Sequence, residues 1–255
     1  MFELRLVGIG MGNPDHLTGS AKEALQRADI ILIPQKGSEK SDLAALRREI
    51  CETVLIKQPR FAEFLLPTRN PNEPDYLKRV DDWHDEIAHI WLETLRIHLP
   101  DGGSAALMIW GDPSLYDSSL RIAERLKLVV KDLTVKVTPG LTAIQLLTAA
   151  HGIPLNAIGA PVTISTGRQL REQGWPIGCD TLVVMLDGEN SFDHLDKEKY
   201  YIWWGAFLGM PKEVIVSGPL SVCAEKIKKI RKKLRKEHGW IMDTYLLKHE
   251  PSKFA

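Results

Sequence analysis

Cysteine is scarce in this chain. The three present, Cys51, Cys179 and Cys223, lie far apart and form no C-x-x-C pair. Neither a disulfide framework nor a zinc knuckle is therefore expected, and a reducing cytoplasm is the simple inference. The first ten residues, MFELRLVGIG, lack a basic region leading into a long apolar core, so no signal peptide is read there. No run approaches the roughly 18 apolar residues of a membrane span. Net charge is missing too. Lys plus Arg and Asp plus Glu are both 33, which argues against a general nucleic-acid binder. Internal repeats and low-complexity tracts are absent.

What is there is an ordinary globular composition of 255 residues, 44% hydrophobic and 26% charged, enough for one large domain or two small ones. Phe2 to Val7 read as a strand, broken by Gly8-Ile-Gly-Met-Gly-Asn-Pro14. Leu17 to Ala28 carry apolar residues at helical spacing, and Asp29 to Pro34 form a second buried strand. Ser41 to Ile50 read as a helix with Ser41 as N-cap. Gln58 to Pro74, with four prolines, read as a loop, and Asp75 to Leu99 as a long amphipathic helix. Ser104 to Trp110 and Leu133 to Val137 are strands; Ser119 to Val129 and Thr142 to Ala150 are helices. The alternation predicts a largely parallel sheet with covered faces. The later part is richer in strands: 161–165, 180–186, 200–207, 213–216 and 240–247, with a basic helix over Lys226 to Glu237. The reading is two α/β domains, 1–125 and 126–255, the second with a mixed sheet, and a ligand cleft between them.

Several motifs fail. Gly8-Ile-Gly-Met-Gly12 follows a strand, but G-x-G-x-x-G is not met, because the third position is Asn13 or Asp15. A glycine turn that lets a ligand approach the backbone, at Gly10 and Met11, remains, beside the alternative of a plain tight turn. There is no phosphate loop and no G-x-S-x-G elbow. His84 and His89 are five apart on one helix and point to different sides, so no metal pair is expected. The eight Lys and Arg between Lys226 and Lys236 read as a solvated face. Trp203 and Trp204 are adjacent in a strand and so face opposite sides.

Three segments in order carry a resemblance: Val7-Gly-Ile-Gly-Met-Gly-Asn-Pro-Asp-His-Leu-Thr18, Gly111-Asp-Pro-Ser-Leu-Tyr116, and Thr138-Pro-Gly-Leu-Thr-Ala143 leading to His151-Gly-Ile-Pro-Leu155. Together they resemble the tetrapyrrole methylases, which use S-adenosylmethionine (SAM) and leave S-adenosylhomocysteine. Tyr201 to Pro211, Trp110 to Tyr116 and the Lys57 to Pro71 loop narrow the resemblance to one branch. That branch methylates precorrin-5 at ring carbon 1 with loss of the acetyl group as acetate. The resemblance implies SAM folded between two α/β domains, and a homodimer. Carried over motif by motif, it places SAM contacts at Trp110, Gly111, Asp112, Leu115, Thr142, Ala143 and Leu186, with Met185 beside the last.

Two departures stand out. Met11 sits where many relatives have proline. Ser118 and Arg121 replace the Arg and Glu of the uroporphyrinogen branch, which argues against that substrate. Deacetylation asks for a base and an oxyanion donor, and Asp112, Tyr116 and His151 are the candidates in that order. The alternative for Asp112 is a surface turn closed by an Asx hydrogen bond, and for His151 a structural helix end. Arg60, Arg69 and Tyr116 are expected on the substrate side, the arginines pairing with carboxylates unless they are solvated loop residues. Two alternatives stay open: a methyltransferase of this fold acting on another precorrin, on RNA or on protein, and a non-catalytic SAM-binding module.

Overall fold

The computed structural model describes residues 1–35 and 41–249. The side chain of Ser41 lies outside the described set, and with it the expected N-cap. Contacts divide the chain into two compact units, Met1–Thr142 and one beginning at Ala143.

The first unit is a five-stranded sheet in the order β3-β2-β4-β1-β5. Its strands are β1 (Phe2–Gly8), β2 (Ile30–Gln35), β3 (Arg60–Leu65), β4 (Gly103–Ile109) and β5 (Leu133–Thr138). Every pairing is parallel. β2 and β4 are covered on both faces and read as nearly continuous apolar runs, whereas Glu3 and Arg5 interrupt β1 and pair with each other there. Leu4, Leu6, Ile30, Leu32 and Leu107 fill one face against α3 (Tyr76–His98) and α4 (Ser119–Val129). Val7, Ile31, Ile33 and Met108 fill the other against α1 (Gly19–Gln26) and α2 (Ser41–Val54). Thr18 caps α1 by accepting from the Ala21 N–H at 3.0 Å, and Asp75 caps α3 through the N–H groups of Leu77 and Lys78. On α3 the apolar stripe Ile87, Trp91, Leu95 is buried, His84 is packed and His89 is exposed.

Two expectations change here. The proline-flanked loop contains β3, which alternates inward Ala62 and Phe64 with outward Glu63 and Leu65. β5 pairs with β1 (Val7 opposite Thr138), so it belongs to the first sheet and the division falls after Thr142 rather than at 125.

The second unit has a mixed sheet in the order β6-β7-β10-β8-β9: β6 (Val162–Thr166), β7 (Thr181–Met185), β8 (Tyr200–Ala206), β9 (Val214–Pro219) and β10 (Asp243–His249). Only the β6 and β7 pairing is parallel. Helices α5 (Ala143–His151), α6 (Gly167–Gln173) and α7 (Leu220–His238) belong to this unit; α6 is absent from the sequence reading. Trp204 is fully buried while Trp203 is half-buried, as adjacent strand positions require.

The basic helix α7 departs from its expected solvated face at one position. Arg231 is 3% exposed and pairs with Asp243, Nε to Oδ2 2.9 Å. The pair sits in a polar network in which Trp204 Nε1–H donates to Asp243 and Tyr245 O–H donates to Asp187, each at 2.8 Å.

Candidate functional site

Parallel strands put their C-terminal ends on one edge. Gly8 pairs with Ile109 and Val7 with Thr138, so the turns after β1, β4 and β5 emerge side by side. Ligands of open parallel sheets bind outside that edge. Gly10 and Gly111 form a two-residue bridge, with Gly111 N–H donating to Gly10 O at 2.8 Å. Both have positive φ, +70° and +66°, which glycine adopts without strain. The backbones at Gly8, Gly111 and Gly140 approach so closely that neither Gly8 nor Gly140 has room for a side chain. A Cβ on Gly8 would stand 2.6 Å from Gly140 N, and one on Gly140 would run into the Gly111 carbonyl. Met11 Sδ lies 3.9 Å from where a Gly111 Cβ would be, and Thr142 Cα 3.8 Å.

Asp112 staples this arrangement. Its Oδ1 accepts from Ser114 N–H at 2.8 Å and Ser114 O–H at 2.5 Å, and its Oδ2 accepts from Gly140 N–H at 2.9 Å. Burial works against its ionisation, but these hydrogen bonds outweigh it and hold the carboxyl below the usual Asp range. A carboxylate so engaged is a poor proton acceptor. The Asx turn weighed as the alternative for Asp112 is present and reaches on to a second turn. Leu115 is half-buried in the same turn, its N–H donating to Asp112 O at 3.2 Å. Tyr116 follows at φ +51°, 44% exposed, and burial of its hydroxyl raises its pKa. A non-glycine residue at positive φ costs of order 1–3 kcal/mol and is found where a surrounding structure over-determines it.

The arginines separate. Arg60 begins β3, opposite Ile30, and its Nη2 donates to His98 O at 3.3 Å. The first residues of parallel strands lie at the end opposite the glycine turns. Arg60 is thus not a rim residue of that edge. Arg69, beyond the C-terminal end of β3, stacks on the Trp83 ring with Cζ 4.4 Å from the centroid.

In the second unit Ala143 is buried at the start of α5, and His151 ends that helix. His151 Nε2 contacts Trp204 O at 3.1 Å; a carbonyl only accepts, so Nε2 carries the proton and Nδ1 the lone pair. Burial lowers the His151 pKa, opposed by the Trp204 carbonyl and Glu213. Met185 ends β7 half-buried, and Leu186 follows at φ +53°, 66% exposed. Asp187 behind it is a residue the sequence reading missed. It accepts from Ser191 N–H at 2.7 Å, Ser191 O–H at 2.7 Å and Glu189 N–H at 3.0 Å, fixing the loop that carries Leu186. The only hint was an Asp followed by Gly, which any turn shares.

The pattern of the Tetrapyrrole (Corrin/Porphyrin) Methylases matches residues 3–223. The chain belongs to that family. Among its relatives, this methylase is 44% identical over 250 residues to a precorrin-6A synthase [deacetylating] of Sinorhizobium sp., covering 97% of this chain and 95% of the relative. It is 28% identical over 156 residues, 59% of each chain, to a precorrin-2 C(20)-methyltransferase of the same genus. Among solved structures, a cobalamin synthesis related protein (CobF) of Corynebacterium diphtheriae superposes with TM-score 0.83 at 39% identity, covering 97% and 99% of the two chains. A Thermus thermophilus uroporphyrin-III C-methyl transferase complexed with S-adenyl homocysteine gives 0.59 at 20% identity, covering 96% and 92%, a likeness of fold. The methylase thus has the family's two α/β sheets. No described helix is long and apolar enough to cross a membrane, and no described cluster of His, Cys, Asp or Glu is arranged to hold a metal.

Proposed function

We propose that this methylase is a SAM-dependent C-methyltransferase of aerobic cobalamin biosynthesis. It methylates precorrin-5 at ring carbon 1 and releases the acetyl group as acetate, giving precorrin-6A. The observation that carries the reading is the near full-length match to a precorrin-6A synthase. The free, buried state of Cys51, Cys179 and Cys223 supports a reducing cytoplasm. The homodimer rests on the resemblance and is read by sedimentation velocity.

The edge of the first sheet fits SAM. It offers main-chain groups of three interlocked turns, with Met11 and Leu115 as apolar neighbours and an ionised Asp112 to complement a cation. Gly10, Met11, Trp110, Gly111, Asp112, Leu115 and Thr142 are the proposed contacts in this unit; Ala143, Met185 and Leu186 are those of the second. When bound, SAM supplies an electrophilic methyl group on a cationic sulfur. The protein's part in methyl transfer is to hold the carbon nucleophile in line and exclude water, and such positioning supplies roughly 7–11 kcal/mol.

Deacetylation needs water to add to the acetyl carbonyl, with a base to take its proton and a donor for the oxyanion. His151 suits the base better than Asp112. Its imidazole is held neutral, with Nδ1 unprotonated. Tyr116 keeps its phenolic proton and suits the donor.

The test is incubation with SAM and precorrin-5, followed by mass spectrometry and an acetate assay. Methyl gain matched by equimolar acetate is expected. Methyl gain without acetate points to a sister corrin methylase, and SAM binding without transfer to any tetrapyrrole to a binding module.

A further inference from the structure

The first unit holds a half-open cavity of about 230 Å³ beside the Trp110 turn. Its walls come from the ends of β2, β3 and β4, from α2 and α3 and from the start of α4, and are mostly apolar. Among the described residues, the charged ones lining it are Arg47 and Asp117.

Arg47 is 8% exposed. Its Nε–H donates to Met108 O at 3.1 Å and its Nη1–H to Leu43 O at 3.2 Å, bonds in which Nη2 takes no part. Its Cζ stands 5.1 Å from the centroid of the Trp110 ring. Burial lowers its pKa to about 10 and Asp117 opposes this, so it stays a cation at neutral pH. Among the described residues no carboxylate closes an ion pair with it, and Asp117 already accepts from Ser119 N–H at 2.7 Å. Two tryptophans of the same lining carry unmet indole donors. Trp91, 2% exposed, and Trp110 both have a buried Nε1–H with no partner among the described residues. Trp83, also on the wall, gives its Nε1–H to Pro67 O at 2.8 Å. Buried donors without acceptors are rare and call for an explanation.

A buried guanidinium, two unmet N–H donors and apolar walls describe a receptor for a short oxyanion. Arginine and carboxylate match in charge and geometry. The volume falls below the roughly 300–1,000 Å³ of a site for a whole ligand, so one arm fits and a macrocycle does not. We propose that this cavity takes a short carboxylate, with Arg47 as countercharge and the Trp91 and Trp110 indoles as donors. The assignment rests on the deacetylating-methylase reading, which offers two sources of that chemistry: an acidic arm of the corrin substrate and the released acetate. No local pattern marks Arg47, which stands next to the more exposed Arg48 in α2.

The experiment has two arms. Sodium acetate is titrated against the full-length protein at constant ionic strength, with sodium chloride as control and tryptophan fluorescence as readout. Separately, the KM for precorrin-5 and the affinity for SAM are measured in wild type and Arg47→Gln. A saturable acetate response abolished by Arg47→Gln assigns the cavity to the product. A KM raised at least tenfold, with SAM affinity within twofold of wild type, assigns it to a substrate arm. Neither result, or a loss of SAM affinity equal to the change in KM, overturns the proposal. Trp91→Phe, which keeps a smaller aromatic ring and removes the N–H, applies the same arms with a threefold threshold if Arg47→Gln does not fold. If wild type makes no methylated product from precorrin-5, the functional reading falls, and the acetate arm alone then decides the cavity.

Discussion

Asp112 Oδ2 accepts the main-chain N–H of Gly140 at 2.9 Å, so one carboxylate ties the turn after β4 to the turn after β5. Replacing Asp112 with Ala leaves that N–H and the Ser114 N–H without their acceptor. Denaturant unfolding is expected to show a loss of about 1–3 kcal/mol, and calorimetry at least a tenfold loss in SAM affinity. The pH dependence follows from the lowered pKa. The Asp112 contribution is complete above the ordinary Asp value of about 3.9 and disappears as pH falls through the lower folded value. The gap in stability between wild type and variant should therefore close in acid. A gap that widened there would contradict the staple.

Gly140 tests the packing of the turns in a different way. A methyl group there meets main-chain atoms of Gly8 and Gly111, which have no flexible end to move. Gly140→Ala is expected to cost about 1–3 kcal/mol or more, as overpacking does, and to abolish SAM binding. Gly19 in the first turn of α1 has nothing within 4 Å of a Cβ. Gly19→Ala is therefore the control, neutral or stabilising by up to about 1 kcal/mol. Equal effects of the two substitutions would refute the claim that the turns interlock.

The legible and illegible parts of this protein divide on physical lines. Strands covered on both faces leave apolar runs, so β2 and β4 can be read directly, and β1 is legible from the buried Leu4, Leu6 and Val7. Glycine and proline mark the turns because few other residues tolerate those backbones. β3 is hidden because the prolines of its flanking loops dominate the local composition. α6 has only seven residues, too few for a periodic signal. Roles set by tertiary placement leave less trace still. Nothing in Lys226 to Lys236 distinguishes buried Arg231 from its solvated neighbours, and nothing in the loop composition tells Arg60 from Arg69.

Two histidines set the acid side of the stability curve. Burial is the main cause that lowers the pKa of both His84 and His151; nearby Arg125, Arg69 and Arg121 add to it at His84. A depressed histidine stays neutral in the fold while the unfolded chain takes a proton below about 6.5. Stability is therefore complete above that pH and declines as pH falls toward the folded values. The slope is bounded by about 1.4 kcal/mol per pH unit for each histidine. Urea unfolding of wild type, His84→Leu and His151→Gln between pH 7 and pH 5 measures it. Each variant should show a shallower decline, and an unchanged decline would show that these side chains protonate alike in both states.

Arg60 and Arg69 should part company in kinetics. Arg60 stands at the first residue of β3, and Arg69 follows the strand's far end and stacks on Trp83. Arg60→Ala is expected to leave both SAM affinity and the KM for precorrin-5 within twofold of wild type. Arg69→Ala should raise the KM several-fold with SAM affinity unchanged. The reverse ranking would return Arg60 to the substrate side.

The buried Arg231–Asp243 pair makes the sharpest stability prediction in the second unit. Burial raises the Asp243 pKa against the pull of Arg231 and the Trp204 indole, so the carboxylate depends on its partners for its charge. Arg231 Nη2 also donates to the Asp187 carbonyl and Nη1 to Asn190, joining α7 to the loop behind Leu186. Arg231→Met leaves Asp243 buried without its cation and is expected to cost about 3–5 kcal/mol. Adding Asp243→Leu removes the stranded carboxylate and should recover part of that loss, although it leaves the Trp204 N–H without an acceptor. A double variant less stable than the single would mean that the polar network, rather than the uncompensated charge, carries the energy.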